Sequence, residues 1–213
     1  ELGGFGIASV FCKNVVISGN NISEIGIVTE NDGTPFLPSA NVYSRGIVVW
    51  NCSTVNVANN NIKNLAIGIS GYSEGILNLC NSTGVEPTFS FGHRDINIVD
   101  NNVIWESQGN LIEVDSLPGL FGITSSVDSS NDDVDADISI GSISILSNVV
   151  RNSSFTGIIA SASGANAILD GFDISHNRVS PFQALFNSFG GGIFISSLDS
   201  DLSNFIVSNN IVK

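Results

Sequence analysis

One short pattern recurs along the chain: alternating apolar residues, an Asn-rich corner, then another β-branched residue. Its clearest copy reads Thr54-Val55-Asn56-Val57-Ala58-Asn59-Asn60-Asn61-Ile62, and related copies begin at Val15, Ile96, Ile143, Phe172 and Phe205. Setting the second inward-pointing strand residue in register aligns Ile17, Val57, Ile98, Ile145, Ile174 and Val207, with Ile206 as the alternative in the last copy. The corner Asn then falls at Asn20, Asn60, Asn101, Asn148, Asn177 and Asn210 (or Asn209). The steps are 40, 41, 47, 29 and 33 residues. Units that return at such a period and cannot bury their own apolar face belong to a stacked array. Unequal steps imply a constant rung with loops of variable length inserted on one side, here at 28–45, 71–92, 115–137 and 180–190.

A second strand precedes each Asn-bearing one: Gly6-Ile7, Gly46-Ile47, Leu111-Ile112-Glu113-Val114, Gly157-Ile158 and Gly192-Ile193. In the third rung Ala66-Ile67-Gly68-Ile69 and Gly75-Ile76-Leu77 compete for this role. A short third strand follows the corner, around Ile22, Ile62, Val103, Val150, Val179 and Ile211. Three short strands per turn with Asn at one corner resembles the right-handed parallel β-helix of the pectate-lyase-like superfamily, over essentially the whole chain. The resemblance implies one all-β solenoid domain, residues 1–213, of about six rungs, with the six corner residues Asn20 to Asn210 stacked as an asparagine ladder. A tight corner leaves backbone groups without partners, and Asn both tolerates left-handed geometry and satisfies them. A β-sandwich would also give many short strands, but would not repeat one corner six times.

Composition agrees with strands and narrows the partners. Ile, Val, Ser, Asn and Gly replace the Lys, Glu and Arg that helices place on their outer faces, and only 13% of residues are charged. Seven basic against 20 acidic residues give a formal charge of −13, which disfavours nucleic acid and anionic membrane. No apolar run is long enough to insert in a bilayer. The chain contains no Met, so either a leader has been removed or this is an excerpt of a longer solenoid. Sequons at Asn21, Asn51, Asn81 and Asn152, with the acidity, point to an extracellular or cell-surface protein.

Enzymes of the resembled superfamily act on polysaccharides, through Ca²⁺-binding carboxylates with a basic residue or through clustered aspartates. Alternation on the Gly-Ile strands points Ala8, Val48, Trp50, Glu113, Ile159, Ser161, Phe194 and Ser196 outward, and only Glu113 among them ionises. Glu106, Asp115 and the Gly92-His93-Arg94-Asp95 stretch are loop supplements, and His93 and His176 suit structural hydrogen bonds at corners. Asp128, Asp132, Asp133, Asp135 and Asp137 lie within ten residues, the donor type that Ca²⁺ prefers, but the spacing lacks the Gly and terminal Glu of an EF-hand loop; a solvated acidic loop is the preferred reading, and no other cofactor is expected. The weak catalytic candidates are therefore Glu113, Asp132 and Asp133. Trp50 is a candidate stacking platform for a sugar, and with Val48, Ile159 and Phe194 it would form an apolar ridge suited to cover by loops or to lateral contact. Cys12 and Cys52 share one register position and are expected to stack as buried free thiols, with Cys80 left over.

No capping helix is legible at either end. Joining Lys213 to Glu1 would make a bare rung, so the chain is expected to stack head to tail on itself or to belong to a longer solenoid. The leading expectation is a structural or assembly module of a surface layer, sheath, fibre or adhesin, forming homo-oligomers or filaments. A polysaccharide lyase, hydrolase or epimerase, or a carbohydrate-binding module without turnover, is the alternative.

Overall fold

The computed structural model describes residues 2–23, 28–29, 35–36, 41–63, 70–81, 95–104, 119–128, 138–140, 142–153, 156–164, 167–181, 191–198 and 200–213. Among them the chain climbs through six rungs. The first holds β1 (Leu2–Val10), β2 (Lys13–Ser18) and β3 (Asn21–Ser23), followed by a small antiparallel pair, β4 (Val28–Thr29) and β5 (Pro35–Phe36). The second holds β6 (Asn41–Trp50), β7 (Ser53–Ala58) and β8 (Asn61–Lys63), and the third β9 (Ser70–Asn81), β10 (Asp95–Val99) and β11 (Asn102–Ile104). The fourth holds β12 (Gly119–Asp128), β13 (Ile138–Ile140), β14 (Ser142–Leu146) and β15 (Val149–Ser153). The fifth is β16 (Thr156–Ser163), β17 (Ala167–Ser175) and β18 (Arg178–Pro181), and the sixth β19 (Gly191–Leu198), β20 (Asp201–Ser208) and β21 (Ile211–Val212).

Like strands of successive rungs pair in parallel. Sheet A runs β1-β6-β9-β12-β16-β19. Sheet B runs β2-β7-β10-β14-β17-β20, with β13 also on β17, and sheet C runs β3-β8-β11-β15-β18-β21. This is a parallel β-helix. The register read from the sequence holds at every step, Ile17 to Val57 to Ile98 to Ile145 to Ile174 to Val207. It settles the last rung on Val207 rather than Ile206. In sheet C, Val179 pairs with Val212, so the inward residue there is Val212 and not Ile211.

The core is three sets of stacked β-branched columns. Sheet A supplies Ile47, Ile76, Ile123 and Ile158, sheet B Val57, Ile98, Ile145 and Ile174, and sheet C Ile62, Val103, Val150 and Val179, all buried in one cluster. Stiff Ile and Val side chains favour the pleat and stack like on like, each contributing roughly 1.5–3 kcal/mol by leaving water. In the sixth rung Phe205, Val207 and Val212 are exposed, whereas Ile17 and Ile22 of the first rung are buried.

In sheet A one open choice is settled and one expectation changes. Gly75-Ile76 of β9 fills the third place, and Gly122-Ile123 of β12 fills the fourth, rather than Leu111-Ile112. The reason is space at the residue before the Ile. A Cβ added at Gly122 would lie 2.3 Å from the Gly157 carbonyl oxygen and 2.4 Å from Val150 Cγ1. At Gly6 it would lie 2.6 Å from both the Gly46 oxygen and Ile22 Cγ2. Glycine is needed there because a sheet C side chain packs onto its α-carbon while the next rung's carbonyl crosses close by. Leu111 follows Asn110 and lacks that glycine.

Strand also replaces much of the expected loop sequence: 41–45 belongs to β6, 71–81 to β9, 119–128 to β12 and 180–181 to β18. Length varies at both corners flanking sheet A rather than on one side. Sheet B passes to sheet C through two residues in every rung, Gly19-Asn20, Asn59-Asn60, Asp100-Asn101, Ser147-Asn148, His176-Asn177 and Asn209-Asn210.

That corner divides the work expected of one Asn between two residues. The left-handed residue is the one before the ladder Asn: Gly19 (φ 69°), Asn59 (55°), Asp100 (55°), Ser147 (55°), His176 (60°) and Asn209 (53°). Gly, Asn, Asp and His are the residues that tolerate this region best, and Ser147 is the exception. Ser147→Gly is accordingly expected to raise stability by about 0.5–1 kcal/mol, read as a higher urea midpoint at unchanged slope. A lower midpoint would show that Ser147 carries no strain.

Candidate functional site

The most elaborate side-chain structure among the described residues is the ladder itself. Asn60 Oδ1 accepts from the Asn20 backbone N–H at 3.0 Å and from Asn20 Nδ2 at 2.9 Å. Asn60 Nδ2 in turn donates forward to Asn101 Oδ1 and back to the Ile17 carbonyl, both at 2.9 Å. The arrangement repeats through Asn101, Asn148 and Asn177, whose Nδ2 groups each donate at 2.8 Å to the carbonyl of Val57, Ile98 and Ile145. It closes on Asn210, with Oδ1 accepting from Asn177 N and Nδ2, and Nδ2 donating to the Ile174 carbonyl at 2.7 Å. Asn60, Asn101, Asn148 and Asn177 are fully buried, so each amide uses its hydrogen-bonding capacity within the protein. A partial second ladder lies outside it, Asn102 Nδ2 donating to Asn61 Oδ1 at 2.9 Å and Asn61 Nδ2 to Asn21 Oδ1 at 3.2 Å.

The outer face of sheet A does not carry the continuous ridge that alternation suggested. One column reads Ala8, Val48, Leu77, Thr124, Ile159 and Phe194. Within it Val48 and Leu77 are only 7% and 8% exposed though they lie outside the core cluster, whereas Phe194 is open. Trp50 stands in the neighbouring column, four rungs away from Phe194, with Val10 and Leu79 beside it and Ser126, Ser161 and Ser196 beyond. Its ring is half-buried and packs at 6.1 Å and 31° on Phe11 of the first rung.

Of the residues singled out for chemistry, Glu113, Asp132, Asp133, Asp135 and Asp137 lie outside the described residues, as do Glu106, Asp115, His93 and Arg94. Asp128 ends β12, between Asn81 and Ser163 in register. Asp95 begins β10 and accepts from Ser142 Oγ at 3.0 Å. Among the described residues no three His, Cys, Asp or Glu side chains come together as a metal group. His176 is the left-handed corner residue of the fifth rung, its Nε2 3.4 Å from Asn209 Nδ2.

Cys12 and Cys52 do stack, and both are free thiols. Cys52 Sγ accepts from the Cys12 backbone N–H at 3.3 Å and contacts the Ser9 and Trp50 carbonyl oxygens at 3.4 Å. Only Cys52 is buried; Cys12 is exposed, because its side of the first rung has no rung against it in this structure. Of the sequons, Asn21 is exposed, Asn152 is half-buried and Asn51 is buried. The side chain of Asn81 lies outside the described residues.

The geometry defines a class, a parallel β-helix bound rung to rung by an internal asparagine ladder. Comparison with protein-family models, with curated proteins and with solved structures finds no match.

Proposed function

We propose that the chain is a non-catalytic structural module of an extracellular assembly, such as a surface layer, sheath, fibre or large adhesin, built on the β-helix of the pectate-lyase-like superfamily. The observation that supports this reading is the direction and completeness of the ladder. Every side-chain amide from Asn20 to Asn177 donates to the Oδ1 of the ladder Asn in the next rung, so the Asn-to-Asn bonds all run the same way. Such a device adds cohesion along the solenoid axis. Each net hydrogen bond is worth about 1 kcal/mol, and each one broken in the buried interior costs about 1–3 kcal/mol. Axial cohesion of this kind suits a protein whose product is a rigid shape.

Immunogold labelling of intact source cells is expected to decorate the outer surface, and incubation with acidic and neutral polysaccharides is expected to release no reducing ends or unsaturated products. Label confined to the cytoplasm, or turnover of any polysaccharide abolished by Glu113→Gln, would overturn the reading.

A further inference from the structure

Two of the three cysteines stand at equivalent corners of adjacent rungs. The passage from sheet A to sheet B takes two residues in each of the first two rungs, Phe11-Cys12 between β1 and β2 and Asn51-Cys52 between β6 and β7. Both corners have the same backbone form, with Phe11 and Asn51 left-handed at φ 53° and 50°. Hydrogen bonds flank the pair on either side, Phe11 N–H donating to the Trp50 carbonyl at 2.9 Å and Ser53 N–H to the Cys12 carbonyl at 3.0 Å. They hold the two cysteine α-carbons one strand spacing apart, about 4.8 Å, inside the window of roughly 4.4–6.8 Å that a disulfide spans.

The sulfur atoms are placed to use that spacing. Side-by-side Cβ vectors would oppose a bridge, but Cys52 Sγ leans across the gap, 3.3 Å from the Cys12 amide nitrogen and 3.4 Å from the Ser9 carbonyl oxygen, both of the first rung. Cys12 Sγ turns to the Val10 carbonyl at 3.2 Å, so closing the bond requires chiefly a rotation about its Cα–Cβ bond. Each thiol is held only by weak S–H···O contacts, and little is lost when the hydrogens leave. Cys80 does not share the column. Leu79 pairs with Trp50, which puts Cys80 level with Asn51, one residue short of Cys52.

We propose that Cys12 and Cys52 form a modification site, an inter-rung disulfide that staples the first rung to the second. This rests on the extracellular reading above, which supplies an oxidising compartment, and it adds a covalent bond to the axial cohesion of the ladder. The co-reactant is a small disulfide of the glutathione class. One protein thiolate attacks it and displaces one small thiol, leaving a mixed disulfide; the second protein thiolate attacks the protein sulfur of that bond and displaces the other. Two protein thiols thus lose two electrons and two protons, and the small disulfide is reduced to two thiols. The exchange takes place as the chain folds, so neither sulfur has to be reached in the finished solenoid. The bridge closes a loop across the 40 positions from Cys12 to Cys52, which removes conformations from the unfolded chain and so stabilises the folded one.

The test folds the 213-residue chain in a mixture of oxidised and reduced glutathione and maps it with trypsin without reduction. Cleavage after Lys13, Arg45, Lys63 and Arg94 puts the three cysteines on separate peptides, 1–13, 46–63 and 64–94. The expected map joins 1–13 to 46–63 and leaves 64–94 outside the bridge. Reduction with dithiothreitol is expected to lower the Tm by about 10 °C. Cys12→Ser should melt like the reduced wild type, while Cys80→Ser keeps the full shift. Three unbridged thiols, a dominant bridge through 64–94, or a bridged protein that melts no higher than the reduced one would each overturn the proposal. The two readings fail separately. A bridge that forms in vitro, with label confined to the cytoplasm, removes the extracellular reading and leaves the pairing in place. Surface label with three unbridged thiols does the reverse.

Discussion

Gly157→Ala is expected to destabilise the protein by about 3 kcal/mol or more, although replacing Gly by Ala in a strand ordinarily helps by a few tenths to 1 kcal/mol. The sign turns on space. A methyl group at Gly157 would lie 2.1 Å from Val179 Cγ1 and 2.8 Å from the Gly192 carbonyl oxygen. Val179 is fully buried and β-branched, so it has no free rotamer to retreat into, and the carbonyl is held by the sheet. Urea unfolding would read the loss. Adding Val179→Ala should recover part of it, so the double variant is less destabilised than the sum of the two singles. Simple additivity would mean that the contact with Val179 is not the cause. Gly19→Ala offers the contrast: it meets nothing within 4 Å and has only its φ of +69° to oppose it, so its cost should stay near 1–2 kcal/mol.

Asn101→Ala should cost about 3–5 kcal/mol, through loss of partners rather than loss of room. Its Oδ1 is the acceptor for the Asn60 backbone N–H at 3.0 Å, and its Nδ2 donates to the Val57 carbonyl at 2.8 Å. Both groups lie in a corner that water does not reach, and the Asn148 oxygen loses one of its two donors as well. Asn101→Asp keeps the acceptor but sets a carboxylate against the Val57 and Asn148 oxygens, and it should be no better than Ala. Asn20→Ala, in the first rung, should cost under about 1 kcal/mol, because the residue is only half-buried and, among the described residues, its side chain donates through Nδ2 and its Oδ1 accepts from no other rung. Hydrogen exchange at the Asn60 amide checks the mechanism: it should speed up in Asn101→Ala and stay slow in Asn20→Ala. Equal losses at the two positions would mean that the ladder is not what holds the rungs.

The fold was legible because two demands of the solenoid fall on single residue types. Only Asn both accepts twice and donates twice at the inner corner, so the ladder positions stand out in the sequence, and the register built on them survives in all six rungs. The split of the corner was not legible, since Gly19, Asp100, Ser147 and His176 share a backbone conformation but no obvious chemistry. The fourth sheet A strand was misread for a related reason. Ile112 followed by Glu113 matched the alternation, but the decisive residue is the glycine before the Ile. Gly122-Ile123 carried that signal all along, hidden by a long acidic neighbourhood. Function was the least legible part. The candidate carboxylates Glu113, Asp132 and Asp133 fall outside the described residues, and no periodicity of the sequence constrains them.

The confinement of all length variation to the corners beside sheet A has a consequence in chain-closure entropy. Bringing successive ladder residues together closes loops of 29 to 47 residues. Because closure entropy grows only with the logarithm of length, the longest closure costs roughly 0.4 kcal/mol more than the shortest. That is less than one net hydrogen bond of the ladder. Segments at those two corners can thus be lengthened, shortened or exchanged almost without thermodynamic consequence, while the invariant corner keeps the count of rungs.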